Sequence, residues 1–329
     1  MFDTTLRPGL LARPADLPLC RYPTARDTHR HGLRPLPEEL PLADFEGAEP
    51  FRSRAHRVVP ADELGPTRLL EMARVVGDSF ALREPQCRYL QPPAAPPERL
   101  LGERHIDPLG TEAFGPWDRR SLMYWFVRLL LLTDPTAPRH AIPLRREVLE
   151  QSVAMVDASG RILGGAFNEP LPPPGAEAAM RSGDPFLDAV LSYVGPVMEM
   201  LLAQDREALG ALSARFPEFA AAHGRGRVGH HFLVARGEAI DKSHAFELVA
   251  ASAERFRDLG FAYMVVEASN TWTGAACEAL GGVRVHFFPY RAARVVPASP
   301  VPLPGVASSP DGRLSGKDAG CAFYVLRLA

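Results

Sequence analysis

Chemistry in this chain has few places to come from. His230 and His231 stand side by side in an apolar run, and an imidazole ordinarily titrates near the working pH, so either could take a proton from an ammonium. Neighbours on a strand face opposite ways, so only one of the pair can look into a given cleft. Glu84, just ahead of Pro85 at a helix end, is a second candidate base, with pairing to Arg83 or Arg88 as the plainer alternative; Glu267 is a weaker third. Lys242 and Ser243 open a helix, where unpaired backbone N–H groups and a full positive charge could hold a phosphate, although a solvated lysine beside a simple cap fits the same residues. Cys277 carries a thiol that is a weak acid near pH ~8.5 when unperturbed, and a buried, inert cysteine is its ordinary reading.

These groups need a scaffold, and the spacing of apolar residues supplies one. Gly229 to Arg236 (GHHFLVAR) reads as a buried strand, and Gly237 to Ser243 as a polar loop. From His244 to Leu259 the residues Ala245, Phe246, Leu248, Val249, Ala253 and Phe256 recur at helical spacing, and Gly260 closes the helix. Ala262–Ala268 is a second strand, Thr273–Leu280 a short helix and Val283–Tyr290 a third strand. Upstream, Arg54–Val59 suits a strand and Asp62–Leu82 a helix stopped by Pro85. Asp118–Leu132 is an apolar helix, and Ser152–Asp157 with Arg161–Phe167 a hairpin around Ala158-Ser159-Gly160. Two helices are expected over Phe186–Leu202 and Glu207–His223. Ala322–Leu328 should be a last strand paired beside Val283–Tyr290.

That order of elements, with these residues, resembles the GNAT superfamily of acetyl-CoA-dependent N-acetyltransferases. The family's fourth strand leads into a loop R/Q-x-x-G-x-G/A. With Ala245 at the final small residue, Leu248 and Val249 fall on the family's apolar pair and Gly260 on its closing glycine, with one residue inserted and with Ile240 and Ser243 in place of Arg or Gln and the central Gly. The hairpin matches x-x-A-x-D-x-x-G-x-I-V-G. Ser79 to Pro85 resembles the S/F-F-x-D-E-P-L segment of the arylalkylamine branch, with Arg83 for Asp. Asn270 matches the asparagine after the fifth strand, and Cys277 to Gly282 stands where the family has Y-x-x-x-G-F.

The resemblance implies an α/β fold with a mixed, mostly antiparallel central sheet of about seven strands flanked by helices, strands four and five splayed. It implies acetyl-CoA as co-substrate, held by Phe232 and Val234 of the strand, by Lys242, Ser243, His244 and Ala245 at the helix start, and by Asn270. A backbone N–H near Val234 would face the thioester carbonyl. The base would be His230 or Glu84, the acceptor a primary amine of a small molecule, and Cys277 would occupy the place of the family's tyrosine acid. The substitutions at Ile240, Ser243 and Cys277 leave a second expectation, a catalytically silent relative that binds acyl-CoA or a protein partner.

Composition bounds the rest. The 329 residues, 46% hydrophobic, support a proper core, and a formal net charge of −2 gives no reason to expect nucleic acid. Cys20, Cys87, Cys277 and Cys321 are scattered without a CxxC pair, which favours a reducing cytoplasmic setting over a disulfide or zinc scaffold. No metal is expected: His29-x-His31 lacks partners, and a hydrolase metal site on His230, His231 and His286 lacks a helix-borne ligand pair. The longest apolar run, Leu122–Leu132, is interrupted by Arg128 and too short to cross a bilayer. Residues 1–50 read as an irregular Pro/Arg-rich arm that could bridge a homodimer. Residues 51–329 read as the acyltransferase domain, with Pro-rich insertions near 91–116 and 291–320.

Overall fold

A computed structural model describes residues 44, 45, 47, 56–84, 87, 119–131, 144–174, 185–237, 244–289 and 320–328. Their strands form one seven-stranded sheet in the order β1-β2-β3-β4-β5-β7-β6. They are β1 (His56–Pro60), β2 (Val153–Asp157), β3 (Ile162–Pro170), β4 (Val228–Arg236), β5 (Tyr263–Ala268), β6 (Val283–Pro289) and β7 (Gly320–Arg327). Every pairing is antiparallel except β4 with β5.

The hairpin of β2 and β3 shows how local residue choice sets register. Gly160 takes a left-handed φ of 79° at the turn, and the Asp157 carboxylate accepts from the Ser159 backbone, the Ser159 hydroxyl and the Arg161 backbone. These donors favour the charged carboxylate, the Ser159 hydroxyl most, and draw its pKa down to about 2. Alternation then sorts the strands. Ala154, Val156, Ile162 and Phe167 join the cluster under helices α1 (Pro66–Arg83) and α2 (Arg119–Leu131), while Val153, Met155, Leu163 and Ala166 meet Leu248 of helix α6 (His244–Asp258) on the other face.

Short helix α3 (Arg146–Leu149) precedes β2. Helices α4 (Pro185–Arg215) and α5 (Pro217–Gly224) share the α1/α2 face, and α7 (Thr271–Ala279) joins α6 opposite. At Gly229 a side-chain carbon would lie 2.4 Å from the Phe256 ring, so the bare glycine lets α6 sit directly on β4.

Three boundaries differ from the sequence-based expectation. Asp62 and Glu63 belong to a 3-10 turn, and α1 starts at Pro66, whose fixed φ suits the first helical position. The helix after β5 starts at Thr271, capped by Asn270, and not at Thr273. The helices expected over 186–202 and 207–223 are joined through residues 203–206, and the break falls instead at Phe216, held extended ahead of Pro217. Two polar residues of that expected gap, Gln204 and Asp205, point inward: Gln204 is fully buried and donates to the Cys321 carbonyl.

Beside α4 the sheet parts. β4 pairs with β5 only from Val228–His231 against Tyr263–Val266, whereas β3 follows β4 out to Arg236. The β3 pairing slips at Phe232, where Leu233 faces Phe167 but His231 faces Asn168. This bulge resets the alternation: His231 faces the α6 side, and Leu233, two residues on, lies with the cluster under α1 and α2. Of the expected N-terminal arm, Asp44, Phe45 and Gly47 fall within the described residues. Asp44 bridges to Arg327, and Phe45 is buried beside Val249 in the α6/α7 cluster. His29, His31 and the insertions near 91–116 and 291–320, Gly320 apart, lie outside the described residues.

Candidate active site

Where β4 and β5 diverge, the sheet opens into a cleft with about 650 Å³ of empty space, open solvent at its mouth included. Phe80, Met123, Phe126, Met198 and Leu201 form an apolar wall, and Glu84, His231, Glu267, Ser269, Asn270 and Thr273 supply the polar groups. A mostly apolar recess with a few convergent polar groups is the usual form of a small-molecule site.

Glu84 reaches this cleft for a reason visible in the chain. It caps the C-terminus of α1, its N–H donating to the Phe80 carbonyl at 3.0 Å, and its backbone turns extended (ψ 125°) ahead of Pro85. Its carboxylate is buried against the turn between β5 and α7. The Ser269 hydroxyl donates a short hydrogen bond to Oε2, and Asn270 Nδ2 donates to Oε1 at 2.9 Å. Asn270 cannot flip cheaply, because its Oδ1 also accepts from the backbones of Trp272 (3.1 Å) and Thr273 (3.0 Å) to cap α7. One asparagine therefore fixes both a helix start and a carboxylate. Asn270, expected to touch the cofactor, spends both ends of its amide on the protein.

The two histidines are divided as strand alternation requires. His231 Nδ1 lies 2.8 Å from Asn168 Oδ1, and the Asn168 amide donates to the Gln151 carbonyl (2.7 Å) and the Ser252 hydroxyl (3.0 Å). The network assigns the Nδ1–H tautomer and leaves Nε2 as a bare acceptor, buried and without a hydrogen-bond partner among the described residues. Burial, aided by the neighbouring His230 charge, lowers the His231 pKa to about 3, so this ring is neutral at any ordinary pH.

His230 lies on the α4 side in a nest of carboxylates, with Nδ1 3.5 Å from Glu169 and Nε2 3.4 Å from Glu267. Burial opposes its charge, but Glu169, Glu267 and Asp205 outweigh that and hold its pKa well above the usual histidine range. His230 is absent from the residues that line the cleft, and Glu267 lies between the two regions.

Among the remaining expected site residues, Phe232 and Val234 line the cleft from β4. Lys242 and Ser243 lie outside the described residues, and Ala245 is the second residue of α6. His244 opens α6, but its Nδ1 is 2.9 Å from Glu247 and its ring packs edge-on against His56 at 4.4 Å between centroids. Cys277 is fully buried in the α6/α7 cluster beside Ala276 and Leu280, and burial pushes its thiol pKa far up. A thiol so enclosed cannot hand a proton into the cleft, which corrects the expectation that it replaces a tyrosine acid.

Sequence reasoning missed Ser269, Asn168, Glu169, Asp205 and His56. Ser269-Asn270 ahead of an apolar helix carries a capping signal; the others offered no local pattern.

No family model and no curated protein matches the chain. Solved structures similar to it include arylalkylamine N-acetyltransferase 2 from Aedes aegypti, at 13% identity over 83% of this chain and 99% of that one, TM-score 0.49. The C-terminal condensation domain of Ebony, solved with beta-alanyl-dopamine, is similar at 11% identity over 83% and 99%, TM-score 0.49. A GNAT superfamily phosphinothricin acetyltransferase from Sinorhizobium meliloti, solved with AcCoA, is similar at 14% identity over 54% and 60%, TM-score 0.29.

Proposed function

We propose that this chain transfers an acetyl group from acetyl-CoA to a primary amine of a small molecule, with Glu84 as the base. The observation that carries this reading is the Glu84 carboxylate, fixed by Ser269 and Asn270 in a mostly apolar cleft where β4 and β5 part. The unpaired edge of β4 beyond His231 offers main-chain groups to the extended arm of the donor, and the start of α6, with Lys242 and Ser243 before it, offers charge and N–H groups to its diphosphate. The apolar wall suits an amine carried on an apolar body.

In this reaction an ammonium enters against the carboxylates, and Glu84 takes its proton directly or through one water. The freed nitrogen lone pair attacks the thioester carbonyl. A β4 backbone N–H near Val234 donates to the oxyanion, and the tetrahedral intermediate collapses with loss of the CoA thiolate as the nitrogen's second proton passes through water to that sulfur. His231, neutral and with a bare Nε2, is an acceptor that orients an N–H or a water and not a proton carrier. Water protonates the thiolate, since Cys277 is enclosed.

The test is thiol release from acetyl-CoA with the full chain and a panel of arylalkyl and alkyl primary amines. Turnover that falls about 10²–10⁴-fold in Glu84→Gln supports the assignment. Calorimetric binding of acetyl-CoA without turnover on any amine would favour the silent relative, and no binding would overturn both.

A further inference from the structure

Behind the cleft, three ionisable side chains from three elements converge: Asp205 of α4, His230 of β4 and Glu267 of β5. One donor atom from each lies within 4.8 Å of the others. His230 Nε2 stands 3.4 Å from Glu267 Oε2, beyond an ordinary N–H···O bond. It is the spacing of two ligands about a tetrahedral ion whose bonds run about 2.0–2.2 Å, which places ligand atoms roughly 3.3–3.5 Å apart.

Asp205 Oδ1, His230 Nε2 and Glu267 Oε1 are all buried with no hydrogen-bond partner among the described residues. His230 and Glu267 are each more than nine-tenths buried. Buried polar atoms left unpaired are costly and rare, and three in one nest point to something that binds them together.

Charge gives the same answer. Among the described residues, Glu169, Asp205 and Glu267 are three carboxylates faced by one guanidinium, Arg145, 3.5 Å from Glu169. Two negative charges remain. Two protons can supply the balance. One divalent cation supplies it equally well and satisfies the bare donor atoms too. Glu169, 3.5 Å from His230 Nδ1, occupies the place of the outer carboxylate that orients a metal-bound imidazole.

We propose that Asp205, His230 and Glu267 bind a divalent first-row cation of the zinc type, with Glu169 as the residue that positions the His230 ring. An imidazole with two carboxylates suits such an ion and not calcium or magnesium, which prefer all-oxygen shells. The inference stands independently of the acetyl-transfer reading.

A second cluster, His56, His244 and Glu247, provides the control. There both imidazoles are already hydrogen-bonded to the carboxylate, at 2.7 and 2.9 Å. The experiment is calorimetric titration of the chelator-stripped full chain with zinc chloride, paired with thermal melts at rising zinc.

One zinc per chain is expected, with a melting temperature that climbs with zinc concentration. His230→Ala and the near-isosteric Asp205→Asn should each weaken binding at least about 100-fold, more than the loss of an outer partner costs, and His56→Ala should leave it unchanged. Circular dichroism of each variant separates lost affinity from lost fold, and Asp205→Asn carries the test if His230→Ala does not fold. Absence of zinc binding, or binding abolished by His56→Ala and kept by Asp205→Asn, overturns the inference.

Discussion

Two carboxylate nests lie on either side of Glu267, and they are built on opposite principles. Glu84 accepts from two neutral groups, the Ser269 hydroxyl and the Asn270 amide, and its carboxylate faces the cleft. Around His230 the acids outnumber the donors among the described residues, where Asp205, His230 and Glu267 each keep a bare buried atom. The first arrangement suits a group that gains and loses a proton during turnover; the second calls for a fixed positive charge. Proximity of acids therefore says little about role until their donors are counted.

The largest expected effect falls on the first nest. Glu84→Ala should lower the rate of acetyl transfer about 10²–10⁴-fold, measured by thiol release, while secondary structure by circular dichroism stays intact. An equal loss from substituting Glu169 would break the distinction between the nests, because Glu169 belongs wholly to the second.

The second nest predicts an unusual stability profile in metal-free protein. His230, with a raised folded pKa, stabilises below its unfolded value near 6.5 and loses that contribution as the pH climbs through its folded value. Asp205, raised by burial and then by the Glu267 charge, works in the same direction from about pH 4 upward. His231 acts oppositely: with its pKa drawn from 6.5 to about 3 beside His230, it withdraws stability as the pH falls through that window.

Chemical denaturation should then show stability falling on the alkaline side of pH 6.5, as the His230 contribution is lost, at up to about 1.4 kcal/mol per pH unit. Zinc should abolish this alkaline decline. His231→Gln should remove the His231 part of the acid-side loss between pH 6.5 and 3.

Smaller is the effect of Asn270→Ala. Loss of the α7 cap costs about 1 kcal/mol, read from the urea midpoint, and loss of a donor to Glu84 should lower the rate as well. Ser269→Ala keeps the cap, so a rate loss without that stability loss would sharpen the division of labour between the two residues.

Much of the scaffold was legible because it follows from spacing along the chain. Alternation gave β2 and β3, the three- and four-residue rhythm gave α6, and Gly260, with φ 82°, closes it as its position suggested. The two helices expected over 186–202 and 207–223 are joined in α4 through residues 203–206, where the fold buries polar groups of Gln204 and Asp205 that carry no apolar rhythm. Cys277 was read by analogy of position, yet a thiol's surroundings come from the packing of α7 on the sheet.

What the sequence by itself determined is local: which segments pleat or coil, where prolines and glycines stop them, and that His230 and His231 face opposite sides of a strand. Backbone propensity and side-chain period act over a few residues, so a linear reading captures them. Only the tertiary structure decided that β4 parts from β5 after His231, that Glu84 meets Ser269 and Asn270 across 185 positions, and that Asp205, His230 and Glu267 share one buried nest. Those contacts depend on which helix lands on which face of the sheet, a matter of long-range packing that no local pattern encodes.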